Sequence, residues 1–189
     1  MEIRSNELET LIPNTEDTAK PMLIGGYAAV FNEKTKLFSR NGIDYFEVIE
    51  PTAFTNCNMT DVVLRYNHKD NTSLLARTSN GSLTLRVDEK GLYIEAELAN
   101  TTQGRDMYEL IKRGDINKMS FGFMVESDTY SGNTRHIHSI SNVKDVSLVD
   151  FPAYDTTTVE AIFRAKEEAE VKAAEEVERL KLQTVLQTY

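Results

Sequence analysis

Cysteine is almost absent from the sequence: Cys57 is the only one among 189 residues. No disulfide can form within the chain, and no cysteine-rich zinc site can be built. Histidine is nearly as scarce, with only His68, His136 and His138, so any imidazole chemistry has three candidates. Basic residues are in deficit: 21 Lys and Arg stand against 30 Asp and Glu, a net charge of -9. That balance argues against a broad basic face for nucleic acid. No run approaches the ~20 apolar residues of a membrane helix. The N-terminal stretch Met1-Glu2-Ile3-Arg4-Ser5-Asn6-Glu7 lacks the apolar core of a secretion signal. A cytoplasmic, non-secreted protein is therefore expected. Cys57, with no histidine near it in sequence, reads as a structural or incidental thiol.

Hydrophobic residues make up 40% and charged residues 27%, as in a soluble globular domain with room for an appendage. Residues 1–22 read as a flexible leader, rich in turn formers from Thr10 to Pro21. Residues 23–158 carry short alternating segments. Gly25-Gly26-Tyr27-Ala28-Ala29-Val30-Phe31 and Tyr45-Phe46-Glu47-Val48-Ile49 suit strands, and Pro51-Thr52-Ala53-Phe54 suits a short helix start. Residues 83–98 suit a hairpin turning at Asp88-Glu89-Lys90-Gly91. A helix is expected from Thr102, with Met107, Leu110 and Ile111 on one face and Gly114 as its stop. Strands are expected over 119–126, 135–140 and 143–149, with a polar turn at 128–133. Seven or eight strands with one internal helix imply a mainly β (α+β) domain, a barrel or a sandwich with added helices. Residues 159–189 lack Gly and Pro and hold 7 acids and 5 bases. They read as a charged helical extension.

Three stretches combine the residue types of nucleophilic catalysis: Tyr66-Asn67-His68-Lys69-Asp70, Lys118-Met119-Ser120-Phe121-Gly122-Phe123, and Lys144-Asp145-Val146-Ser147-Leu148-Val149. Alternation puts Met119, Phe121 and Phe123 on one strand face and Ser120 and Gly122 on the other. Gly122 leaves space beside Ser120 that a substrate backbone could use. Alternation likewise separates Val146 and Leu148 from Asp145 and Ser147. A serine hydroxyl is a weak nucleophile unless an imidazole takes its proton and a third group orients that imidazole. By residue type alone, any chain with several serines and acids offers such a set.

The order of the motifs narrows this. Gly26-Tyr27-Ala28-Ala29-Val30-Phe31-Asn32, Phe46-Glu47-Val48-Ile49 with Pro51-Thr52-Ala53-Phe54, Asn67-His68-Lys69-Asp70, Asp88-Glu89-Lys90-Gly91-Leu92, Gly114-Asp115-Ile116 before Met119-Ser120-Phe121-Gly122-Phe123, and Asp145-Val146-Ser147-Leu148-Val149 with Pro152-Ala153-Tyr154 follow one another. This succession resembles the prohead (head-maturation) serine proteases of tailed bacteriophages, over residues 23–159. The resemblance implies a closed antiparallel β-barrel of about seven strands with peripheral helices, similar to the herpesvirus capsid maturation proteases. It also implies an enzyme of the assembling procapsid in the host cytoplasm, cleaving scaffold, the N-terminal extension of the major capsid protein, and itself. Ser120 would be the nucleophile and His68 the general base. The family usually carries glutamate where this chain has Asp145, one methylene shorter. The herpesvirus enzymes use a second histidine, which makes His138 the alternative third member. Ser147 and Gly122 would support the site. The herpesvirus enzymes also suggest a homodimer as the active assembly. No cofactor, metal, membrane or nucleic acid is implied.

Two other readings compete. A non-catalytic capsid assembly or scaffold protein could act through the charged helix of residues 159–189. A metal enzyme could use the three histidines, but their spacing lacks the helical His-x-x-x-His arrangement.

Overall fold

The computed structural model describes residues 2–7, 21–69, 74–150, 172 and 175–179. Contacts divide the chain into two units, Met1–Tyr154 and Asp155–Tyr189. Most of the helix expected over 159–189 lies outside the described residues. Within it, residues 172 and 175–179 are helical and exposed, and Arg179 pairs with Glu176 at 2.6 Å.

Among the described residues of the first unit there are ten strands and one α-helix. Its spine is a long antiparallel hairpin of β9 (Lys118–Ser131) and β10 (Thr134–Val149), turned at Gly132 with φ 58°. The polar segment read as a turn therefore belongs mostly to β9. The two strands expected over 135–140 and 143–149 are one strand broken by register shifts. On the outer side of β9 runs β1 (Glu2–Glu7), antiparallel. These residues were expected to be leader; they form an element because β9 offers them an unpaired edge.

The other side of β10 takes two partners, both parallel. β4 (Ile43–Ile49) pairs with its first part and β5 (Val63–Tyr66) with its last. The expectation of a wholly antiparallel sheet fails here, because β4 and β5 reach β10 by crossover rather than by hairpin. β3 (Thr35–Arg40) flanks β4, and β6 (Ala76–Arg77) flanks β5. A second antiparallel sheet has the order β2 (Leu23–Val30), β8 (Gly91–Glu97), β7 (Leu83–Val87). Among the described residues neither sheet closes on itself by hydrogen bonds.

The hairpin at 83–98 forms as its turn chemistry requires. Asp88 Oδ1 accepts the N–H groups of Lys90 and Gly91 at 2.9 and 3.1 Å. Gly91 allows close approach of β2: a Cβ there would lie 1.9 Å from the Ala29 carbonyl oxygen. Helix α1 (Thr102–Arg113) is capped by Thr101, whose hydroxyl accepts from the Gly104 N–H at 3.0 Å. Gly114, at φ 81°, ends it. Residues 51–56 make successive turns rather than the expected helix start.

Both sheets supply one core. Ile24, Leu92 and Ile94 from the smaller sheet join Leu64, Met119, Phe121, Phe123 and Leu148 from the larger. Phe121 and Phe123 stack with centroids 4.6 Å apart. Each buried side chain of this size contributes about 1.5–3 kcal/mol of hydrophobic stabilisation. An ionic cluster anchors β1. Arg4 holds Glu47 of β4 through two nitrogens, one of them at 2.6 Å, and Glu2 at 3.0 Å. Arg135 of β10 engages Glu2, Glu47 and Asp128. Arg4, Glu47 and Arg135 are all buried, so each charge depends on the others for compensation.

Candidate active site

β9 and β10 carry two adjacent rows of side chains on one face. Ser120 stands opposite Ser147, and Gly122 stands opposite Asp145. Counting straight from the Val143–Phe123 pair, Lys144 would face Gly122 and Asp145 would face Phe121. A register shift between Val143 and Asp145 inserts Lys144 as an extra residue. This bulge turns Asp145 onto the face of Ser120.

His68 arrives from the neighbouring strand. β5 pairs with β10 up to Tyr66–Leu148, and the chain then reverses. The Asn67 N–H donates to the Leu148 carbonyl at 2.9 Å, and the Lys69 N–H to the Tyr66 carbonyl at 3.3 Å. Asn67 and His68 both adopt positive φ, 52° and 54°, as the central residues of a type I′ turn do. Asparagine and histidine are among the non-glycine residues that tolerate this region best.

The turn lays the imidazole across the four corners formed by Ser120, Gly122, Asp145 and Ser147. His68 Nε2 is 2.9 Å from Ser120 Oγ, and His68 Nδ1 is 2.6 Å from Asp145 Oδ2. The ring thus spans the diagonal from Ser120 to Asp145. Diagonal neighbours on an antiparallel pair lie about 7–8 Å apart, a gap that suits an imidazole bonded at both nitrogens. The remaining corners hold glycine and serine, the least bulky choices compatible with the arrangement. Ser147 Oγ donates to Asp145 Oδ2 at 2.9 Å and accepts the His68 backbone N–H at 3.1 Å.

Ser120 and Ser147 have no exposed surface, and the His68 and Asp145 side chains are 8% and 7% exposed. A carboxylate, an imidazole and a hydroxyl in sequence, shielded from water, form a path for moving one proton off the hydroxyl.

The sequence model of the caudovirus prohead serine proteases matches residues 8–173. The chain belongs to this family. It is a serine protease of the phage prohead, a capsid maturation enzyme. Neither the curated proteins nor the solved structures contain a match.

The other sequence candidates of this prohead protease lie apart. His138, the alternative third member, hydrogen-bonds Thr129 through Nε2 at 2.7 Å. Both ring nitrogens of His68 are already engaged by Ser120 and Asp145, so His138 has no place in that chain of contacts. His136 Nδ1 meets Glu50 at 2.8 Å. Among the described residues no group of His, Cys, Asp and Glu could hold a metal ion, and no helix is long and apolar enough to cross a membrane. Cys57 is partly buried, and burial pushes its thiol up to about 11.

Sequence reasoning missed three contributors. Asn67 sets up the left-handed turn, and its residue type was the available signal. Lys144 makes the bulge, which strict alternation hides. Ser5 of β1 pairs in register with Ser120, a long-range contact that no local pattern announces.

Proposed function

We propose that the prohead protease cleaves peptide bonds through Ser120 as nucleophile, His68 as general base and acid, and Asp145 as the group that orients His68. The observation that carries this reading is the continuous set of contacts from Asp145 Oδ2 through both His68 nitrogens to Ser120 Oγ. With Asp145 ionised, His68 Nδ1 carries the proton and donates it to the carboxylate, so Nε2 is free to accept the Ser120 hydroxyl proton. As Oγ bonds to the scissile carbonyl carbon, that proton passes to Nε2 and Asp145 stabilises the resulting imidazolium. Collapse of the tetrahedral intermediate breaks the C–N bond, and His68 returns the proton to the leaving amine. Water, deprotonated by His68 in turn, then releases the acyl group.

The substrates under this reading are the scaffold, the N-terminal extension of the major capsid protein and the protease itself, inside the procapsid. The acidity of the chain, -9 overall, suits an enzyme that works before DNA is packaged. A herpesvirus-type barrel is part of the same reading, supported by the approach of β2 to β1 and β9 across the two sheets. So is a homodimer, whose test is the oligomeric state in solution. Coexpression with the phage's scaffold and capsid proteins tests the central reading. Wild type should shorten them, and Ser120→Ala should leave them intact. Equal processing by both, or by neither, would sink it.

A further inference from the structure

Ser147 is committed twice in the site. Its hydroxyl has one proton to give and lone pairs to receive. Asp145, as a carboxylate, can only accept, and the His68 backbone N–H can only donate. The direction of both bonds is therefore fixed: Ser147 Oγ–H points to Asp145 Oδ2 at 2.9 Å, and Ser147 Oγ receives His68 N–H at 3.1 Å. Ser147 itself cannot shift. It sits in a central strand, registered with Ser120 on one side and Arg65 on the other, with no exposed surface.

These two bonds join the parts of the site least constrained by the fold. His68 lies beyond the end of β5, in a left-handed conformation that persists only when its surroundings hold it. The Ser147 hydroxyl accepts the His68 N–H, which the turn directs toward β10 beside the Asn67 N–H that donates to the Leu148 carbonyl. Asp145 follows a bulge, where the ladder is locally irregular. The Ser147 proton goes to the same Asp145 oxygen that receives His68 Nδ1.

We infer that Ser147 is a positioning residue: its hydroxyl locks the backbone of His68 and the carboxylate of Asp145 together, so that Nδ1 and Nε2 meet their partners at once. The inference rests on the Ser120–His68–Asp145 reading and deepens it. Ser147 hydrogen-bonds the His68 backbone and the Asp145 carboxylate, not Ser120 Oγ or the His68 ring. Its effect passes through the His68–Asp145 pair, so its loss should appear in kcat rather than in substrate binding.

The test is a kinetic cycle on the purified full chain with a peptide or scaffold substrate. Ser147→Ala should lower kcat about 10- to 100-fold, the scale of an ångström-level misplacement of catalytic groups, with KM unchanged within about twofold. Ser147→Cys, slightly larger and only a weak donor, should fall in the same direction. In an Asp145→Asn background, adding Ser147→Ala should cost less than about twofold, because the pair it serves is already disabled. A wild-type kcat for Ser147→Ala, beside an inactive Ser120→Ala, would overturn the positioning role alone. So would a loss of the same size in the Asp145→Asn background, which would mark a general structural defect. An active Ser120→Ala would overturn the triad reading and this inference with it.

Discussion

Asp145 stands opposite Gly122 across the β9–β10 ladder, one position off the register that Val143 and Phe123 begin. Two things follow from that offset. The carboxylate faces the imidazole instead of the phenylalanine core, and its cross-strand neighbour carries no side chain to crowd the His68 ring. Under the proposed mechanism Gly122→Ala should lower kcat, and Gly122→Val should lower it further, with the folded state retained. Steady-state kinetics beside a thermal melt would separate the two effects. A fully active valine variant would show that the ring does not use this space.

Asp145 should be needed as a carboxylate, not merely as a hydrogen-bond partner. Asp145→Asn keeps the shape but no longer compels His68 to protonate at Nδ1, and a change of this kind costs about 10⁴-fold in kcat in a serine protease triad. Asp145→Glu retains the charge yet must fit an extra methylene into a contact already at 2.6 Å. Its kcat should fall between those of wild type and Asp145→Asn. Equal activity of the aspartate and asparagine enzymes would remove Asp145 from the mechanism.

The site was legible in sequence to a definite depth. Ser120, His68 and Asp145 could be named because alternation around Phe121 and Val146 separates polar from apolar faces, and because the motif order resembles a known family. Their convergence was not legible. It depends on the Lys144 bulge, on the left-handed turn at Asn67 and His68, and on parallel pairing of β5 with β10, none of which has a period. The hairpin at 83–98 and helix α1 were readable from Asp88, Gly91, Thr101 and Gly114, which carry local turn and cap chemistry. Strand β1 was not, since Glu2–Glu7 acquires its structure from β9 and from the distant Glu47 and Arg135.

That ionic anchor should matter for stability. Glu47→Ala leaves Arg4 and Arg135 buried with fewer carboxylates, and breaking a buried pair in this way costs about 3–5 kcal/mol. Replacing Arg4 and Glu47 together by Met and Leu should cost less than Glu47→Ala alone. Urea unfolding midpoints of the three proteins would check the order. A double variant weaker than the single one would contradict it.

Cys57 provides a pH-dependent readout remote from catalysis. Burial disfavours its thiolate and holds the thiol near 11, so alkylation by iodoacetamide at pH 8 should be slow. The rate should climb roughly tenfold per pH unit until the thiol titrates. In denaturant, where an ordinary thiol has a pKa of about 8.5, it should react about two orders of magnitude faster at pH 8. Equal folded and unfolded rates would place Cys57 in water.

The most direct test of the mechanism is covalent capture of the nucleophile. A fluorophosphonate forms a bond from serine Oγ to phosphorus as fluoride leaves, and it requires the same access and the same proton acceptor as a peptide. Labelled peptides from the wild-type protease, mapped by mass spectrometry, should carry the phosphonyl group on Ser120. The His68→Ala protein should remain unlabelled there. Modification of another serine in its place, or undiminished labelling of Ser120 without His68, would contradict the account.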